Sequence, residues 1–327
     1  MSTSPDRAVL IAFVGIVAVG GLNGVAIKFS NAELAPFWGA ALRFALASVL
    51  LFGFVALRRL ALPRGRALLG SVLYGVLSFA AGYALAYWAL LTTPAGVAMV
   101  ILAMVPLLTL LLAVAVGLEK FRLQSAVGAL VAAGGIAFIF ADRLGSTAPA
   151  ALAGMLAIVG AAFAIAATNI VVKRFPRPHP VVNNALAMGL GAALLFALSL
   201  LAGESLAIPQ EAPTLAAVGY LVVIGSAALF MLFLYVLERW TASATSYTLL
   251  LMPLVTATAA ALLLDEALTP ALLVGSGFVL GGVYVGAFAP SLALPLPGLL
   301  RRPHPVAAGT VAREEAAPPE LVTPSCP

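Results

Sequence analysis

Pro106 and Pro253 each lie near the middle of an apolar run long enough to span a bilayer, and each is followed thirteen residues later by a glutamate, Glu119 and Glu266. The same offset of 147 carries Thr109 onto Thr256, Ala95 onto Ala242, Gly128 onto Gly275, and Gly134 and Gly135 onto Gly281 and Gly282. The chain is duplicated within itself. Duplicated halves of a membrane protein can enclose a central site and rock about it.

That this is a membrane chain follows from its charge. Only 9% of residues are charged and 63% are hydrophobic, against about 25% and roughly 45–50% in soluble domains. So little charge cannot cover a water-facing surface. Apolar runs recur at 9–29, 36–57, 67–91, 94–116, 123–140, 151–173, 181–201, 215–237, 241–264 and 268–288. At about 20 residues, each reaches across a hydrocarbon core of roughly 30 Å as a helix. The expectation is an all-α integral membrane protein of ten transmembrane helices. The first run matches a partner in the second half, which favours a span over a cleaved signal.

The halves are residues 1–146 and 147–289, five helices each. Five is odd, so the second copy enters from the opposite side and the repeat is inverted. Asn23 to Phe29 reads NGVAIKF and Asn169 to Phe175 reads NIVVKRF, which extends the likeness to the first helix of each half. Residues 290–327 are proline-rich and read as a disordered cytoplasmic tail.

The net charge of +5 calls for no nucleic-acid partner once the charges are placed. With the amino terminus inside, 14 cations fall on the inner side, including Arg58, Arg59, Arg64, Arg66, Arg174 and Arg239. Lys28 and Arg143 remain outside, and Arg43 lies within a span. This satisfies the positive-inside rule for a multi-pass protein of the cell inner membrane with both termini cytoplasmic.

The runs YWALLTTPAGVAMVILAMVPLLTLLLAVAVGLEKFRLQSAVGALVAAGGI and LYVLERWTASATSYTLLLMPLVTATAAALLLDEALTPALLVGSGFVLGGVYV both resemble the EamA repeat of the drug/metabolite transporter superfamily. The resemblance spans residues 8–288. It implies a carrier with a cavity between inverted repeats, typically exporting amino acids or other small metabolites. Arg43, in the run LRFALA, is similar to an arginine often seen there, whereas the second copy has Ala187.

Each candidate site residue has a structural reading beside its functional one. Pro106 and Pro253 free the carbonyls of Leu102 and Leu249, and act as hinges beside a substrate or as tolerated kinks. Glu119 and Glu266 either gate the cavity or cap neighbouring helices. Asn23, Thr168 and Asn169 contact substrate or tie helices together. Arg43 holds a substrate carboxylate or pairs with Glu33. Tyr83 and Tyr87 share a helix face and stack on a ligand or belong to the interfacial belt. Tyr247 and Thr248 lie deeper and are further cavity candidates.

No cofactor is expected. Both histidines lie in a loop or the tail, and the one cysteine, Cys326, lies in the tail, so metal and disulfide frameworks are not expected either. Small pairs at four-residue spacing, Gly20/Gly24, Gly277/Gly281 and Gly282/Gly286, pack helices closely or form a homodimer through the last helix. The functional expectation is a non-enzymatic secondary transporter exporting a small metabolite, an amino acid or related compound, by alternating access. A sugar or nucleotide-sugar carrier of the same superfamily, a lipid- or prenyl-modifying membrane enzyme, and a channel are the alternatives.

Overall fold

The computed structural model describes residues 6–118, 123–144, 149–176, 178–239 and 248–288, and every regular element among them is helical. In chain order these are α1 (Arg7–Asn31), α2 (Pro36–Leu57), α3 (Arg66–Ala89), α4 (Ala95–Ala115), α5 (Leu123–Leu144), α6 (Pro149–Arg174), α7 (Pro180–Leu201), α8 (212–239), α9 (Thr248–Leu263) and α10 (270–288). Seven of them, α1–α4 and α6–α8, contain helix long and apolar enough to cross a membrane, and α5, α9 and α10 hold shorter apolar stretches. Glu119, Tyr247 and the tail from 290 lie outside the described residues.

Local chemistry sets the helix ends. Proline occupies the first turn of α2, α7, α8 and α10, where its missing N–H costs nothing. Gly117 and Gly203 end α4 and α7 at φ of 74° and 68°. After each, a backbone bond closes back onto the helix, Leu118 to Ala113 and Glu204 to Ser199, a glycine-dependent termination.

The helix pairing survives exchange of the halves, in which each helix number shifts by five. α1 packs on α9 as α6 packs on α4, α1 on α8 as α6 on α3, and α2 on α8 as α7 on α3. The remaining large contacts, α2 with α7 and α5 with α10, each join a helix to its own counterpart. The duplication read from prolines and glycines is therefore a duplication of packing.

The repeated glycines explain one of these self-pairs. A Cβ on Gly282 would lie 2.6 Å from Gly128 O and Ala132 N, and one on Gly135 would lie 2.7 Å from Gly275 O. Backbone approach of this kind is what small residues supply in lipid. Gly282 and Gly286 are thus occupied inside the chain, whereas Gly277 and Gly281 face open space.

Two features go beyond the periodicity. Residues Gly75–Gly82 of α3 and Tyr220–Ala228 of α8 are π-helical, and they sit at corresponding places in the two halves. Helix α4 is interrupted between Leu102 and Val105, with Pro106 in the first turn of its second piece, while Pro253 lies inside a continuous α9. The prolines match in sequence but not in their effect on the helix.

Candidate functional site

The central cavity lies where α1, α3 and α4 of the first half meet α6, α8 and α9 of the second, and measures about 200 Å³. Its walls are mostly apolar, with Ile27, Leu90, Met99, Leu102, Ile158 and Met252 contributing. Asn23 and Tyr83 supply its polar side chains. The broken end of helix 95–102 reaches this wall at Leu102, whose carbonyl loses its usual partner because Pro106 has no N–H.

Asn23 is fixed by its amide, which donates to the Gly225 carbonyl at 3.2 Å. Its Oδ1 is buried and accepts no hydrogen bond. Arg43 converges on the same carbonyl, with Nη2 at 3.1 Å, while Nε donates to Ser226 Oγ at 3.0 Å and Nη1 lies 3.5 Å from the Tyr87 hydroxyl. All three acceptor contacts of this cluster on α8 fall in its π-helical segment. Wide π turns occur often at functional sites.

Arg43 is 1% exposed, and its guanidinium carbon lies 5.0 Å from the Phe44 ring centroid and 5.4 Å from that of Tyr83. The sequence offered Glu33 as a partner. The structure corrects this: Glu33 accepts the backbone N–H groups of Gln210 and Glu211 at 2.6 and 3.1 Å, and Lys28 pairs with Glu266 instead. The hydrogen-bond partners of Arg43 are thus the neutral groups of Ser226, Gly225 and Tyr87.

The corresponding place in the second half is closed. A Cβ on Gly75, which opens the π segment of α3, would lie 2.9 Å from Ala187 O. Glycine and alanine pack there without room for an arginine. The missing duplicate of Arg43 is thus a difference in helix separation as well as in sequence.

Two threonines support the proline regions. Thr109 bonds back to Val105 O at 2.8 Å and accepts from Asn169 Nδ2 at 3.0 Å. Thr256 bonds to Met252 O at 3.1 Å and also to Gly21 O of α1. Each ties the proline-bearing helix to the first helix of the other half. Thr168 spends its hydroxyl on Ala164 O of its own helix, and Thr248 is buried at the start of α9.

Asn169 does not join the central cavity. It lines a second pocket of about 260 Å³ with Ser71, Tyr74, Phe175, Asn183 and Asn184. There Ser71 Oγ donates to Asn183 Oδ1 at 2.7 Å and the Tyr74 hydroxyl to Asn184 Oδ1 at 3.3 Å. The repeat-related asparagines therefore face different spaces at different depths.

At the end of the bundle holding the 32–35, 90–94 and 203–211 connections, three carboxylates cap helix starts across the halves. Glu266 accepts Ala95 N–H at 3.0 Å, with Gly96 N at 3.5 Å, and pairs with Lys28 at 2.7 Å. Glu204 accepts the N–H groups of Phe37 and Trp38 at 3.2 and 2.9 Å. Glu33 takes those of Gln210 and Glu211. Partial desolvation works against the Glu33 anion, but the two N–H donors and Thr214 outweigh it and hold its carboxyl below the usual carboxylate value. Asp265, at φ 52°, turns the chain so that Glu266 follows directly after α9. A carboxylate on four free N–H groups and a positive helix end is a strong cap. Only Glu266 was read as a cap in the sequence, Glu33 having been offered as a partner for Arg43; acids just beyond glycine-terminated or looped helix ends were the available signal for the other two.

A helical bundle of two equivalent halves around a buried cavity, fastened across one end, is the arrangement of a membrane carrier. Residues 7–141 and 152–287 each match the EamA-like transporter family, and the chain belongs to it. It is 29% identical over 238 residues to the uncharacterized inner membrane transporter YedA of Escherichia coli (strain K12), covering 72% of this chain and 76% of that protein. It is 28% identical over 284 residues to the "Probable amino-acid metabolite efflux pump" of the same organism, covering 84% and 92%. An uncharacterized transporter of Archaeoglobus fulgidus is 28% identical over 280 residues, 82% of this chain and 95% of that one. A solved crystal structure shares the fold with a TM-score of 0.60 at 20% identity, over 87% of this chain and 99% of its own.

Proposed function

We propose that this protein is an inner-membrane secondary transporter that exports a small metabolite, an amino acid or related compound, by alternating access. Ten transmembrane helices form two inverted five-helix repeats, residues 1–146 and 147–289, with both termini cytoplasmic. The charge asymmetry supports that orientation, and the capped end of the bundle is then external. The single observation that carries the reading is the cavity of about 200 Å³ built from both halves, lying beneath cross-half caps that must break for release outward.

In this mechanism rocking of the halves exchanges the external lock for an internal one. Lys28 and Glu266 have repeat counterparts in Arg174 and Glu119. Arg174 reaches the end of α4, donating to Val116 O at 3.1 Å, three residues before Glu119. Arg174, the repeat counterpart of Lys28, belongs to the internal lock when the cavity opens outward. The names of the relatives support transport and, for one, amino-acid metabolite efflux.

The test is counterflow in proteoliposomes loaded with an amino-acid mixture, with release read by mass spectrometry. Wild-type protein releases one compound or a small set. The Pro106→Leu, Pro253→Leu variant, matched for insertion, releases little. Equal profiles from wild type, variant and empty vesicles would remove the exporter reading.

A further inference from the structure

The polar pocket beside Asn169 lies at the end of the bundle opposite the carboxylate caps, because α7 leaves it at Pro180 and reaches the capped end at Leu201. Five segments build it. Ser71 and Tyr74 come from the early turns of α3, Asn169 from the last turns of α6, Phe175 from the connection that follows, Asn183 and Asn184 from the start of α7, and Phe230 from α8. Gly70 lets the connection close in, since a Cβ there would lie 2.7 Å from Phe175 Cβ. One turn of α6 separates Asn169 from Ile165, which belongs to the central cavity. The two spaces are distinct.

Hydrogen bonds within the pocket fix its amides. Asn184 is fully engaged, with Oδ1 accepting from the Tyr74 hydroxyl at 3.3 Å and Nδ2 donating to Pro180 O at 3.0 Å. Asn183 and Asn169 are each engaged at one atom only. Asn183 Oδ1 accepts from Ser71 Oγ at 2.7 Å, which leaves Nδ2 as a donor without an acceptor among the described residues. Asn169 Nδ2 donates to Thr109 Oγ1 at 3.0 Å, which leaves Oδ1 as an acceptor without a donor among them. Asn183 is partly exposed and Asn169 exposed, so both open atoms are within reach of solvent. A ligand displaces solvent there without loss only if it supplies both partners.

One open donor and one open acceptor call for a neutral, dipolar partner. A carboxylate would answer Asn183 but set an anion against Asn169 Oδ1, and an ammonium would answer Asn169 but meet the Asn183 N–H groups. No charged side chain lines the pocket among the described residues, so either ion would give up hydration without gaining a countercharge. A carboxamide carries donor and acceptor in one plane. The remaining wall, from Phe175, Phe230 and the prolines at 176, 178 and 180, offers flat apolar surfaces that suit an aromatic ring. The volume of about 260 Å³, at roughly 30 Å³ per water-sized group, holds about nine heavy atoms. One aromatic ring bearing one carboxamide fills it.

We propose that this pocket is a second ligand site, distinct from the central cavity, for small neutral aromatic carboxamides, and that Asn183 Nδ2 and Asn169 Oδ1 are its specificity-determining pair. The site does not depend on what the central cavity carries, so it stands apart from the exporter reading.

The full-length protein, purified in detergent, is titrated with radiolabelled benzamide by equilibrium dialysis, in competition with benzoate and benzylamine, which keep the ring and replace the amide by an anion or a cation. Benzamide binds saturably at one site per chain, and each ion competes about fivefold or more weakly, as expected for one lost hydrogen bond between neutral groups. Asn183→Asp keeps the acceptor for Ser71 and removes the open donor, and Asn169→Ala removes the open acceptor; each weakens benzamide binding by about threefold to tenfold. Melting curves identify the folded variants, and should Asn183→Asp fail to fold, Asn169→Ala at its exposed position carries the test. Benzoate or benzylamine binding as tightly as benzamide would overturn the ligand class. Benzamide that does not bind, or that binds the folded variants as tightly as wild type, would overturn the site. Neither failure touches the exporter reading, which rests on the central cavity.

Discussion

In the proposed orientation, replacing Glu266 by alanine should unlock the external face. The carboxylate holds Lys28 at 2.7 Å and Ala95 N–H at 3.0 Å, with side chains only 14% and 23% exposed for Glu266 and Lys28. At that burial the interaction is not a fully screened surface pair. One hydrogen bond to a charged group contributes about 1.5–3 kcal/mol, and a surface-type ion pair adds about 0–1 kcal/mol. A loss near 2 kcal/mol shifts the balance of closed and open states by roughly 30-fold. The assay uses Leu90→Cys, a cavity position that is 5% exposed, in a background where Cys326, the sole native cysteine, is serine. Labelling by a membrane-impermeant maleimide from outside should speed up by roughly that factor. If the Glu266→Ala protein elutes as a folded species and labels at the parental rate, the caps do not hold the external face shut.

Four further outcomes follow from the same geometry. Arg174→Ala, which weakens the proposed internal lock, should slow external labelling of Leu90→Cys, the opposite sign to Glu266→Ala. Arg43→Met should lower thermal stability by about 1.5 kcal/mol or more, since it removes the guanidinium's hydrogen bonds to Ser226 Oγ and Gly225 O; an unchanged melting curve would mean that these contacts contribute nothing to the α2–α8 junction. Gly282→Val should cost roughly 3 kcal/mol, because its Cβ would meet backbone at 2.6 Å, whereas Gly277→Ala, facing open space, should leave the melting curve unchanged. Glu33 has a folded value below its ordinary 4.5, so its cap is present above that value and is lost as pH falls through the lower folded value. External labelling should therefore quicken below about pH 4.5, and Glu33→Gln should flatten part of that rise.

Much of the architecture was legible because it repeats. Apolar runs gave helix positions to within a few residues, since lipid forces backbone bonds inside each segment. Gly282 was legible as a close-packing site, whereas Gly128, Gly135 and Gly275 were legible only as marks of the repeat; their backbone contacts between α5 and α10 came from the structure, and Gly277 and Gly281, read as a packing pair, face open space. The π segments of α3 and α8 were not legible. An extra residue per turn leaves composition and hydropathy unchanged. The caps by Glu33 and Glu204 were also missed, because a carboxylate near a membrane surface gives no sequence sign of which distant N–H groups it will meet.

The candidate site shows why a repeat alone locates a cavity without specifying its contents. In the proposed carrier the symmetric features, the helix pairs, Thr109 with Thr256, the π segments, hold or move the halves, and these functions need equivalence so that either side can close. Recognition needs the reverse, since a substrate is not itself two-fold symmetric. The symmetry is broken at Arg43, where α2 meets the π segment of α8 through a guanidinium, against Gly75 and Ala187 in backbone contact on the other side. It is broken again at the asparagines, with Asn23 bonded to the Gly225 carbonyl beside an apolar cavity and Asn169 bonded to Thr109 beside a polar pocket. Substrate preference should therefore follow substitutions at Asn23, Arg43 and the apolar wall, while substitutions at the symmetric positions should change rate for all substrates alike.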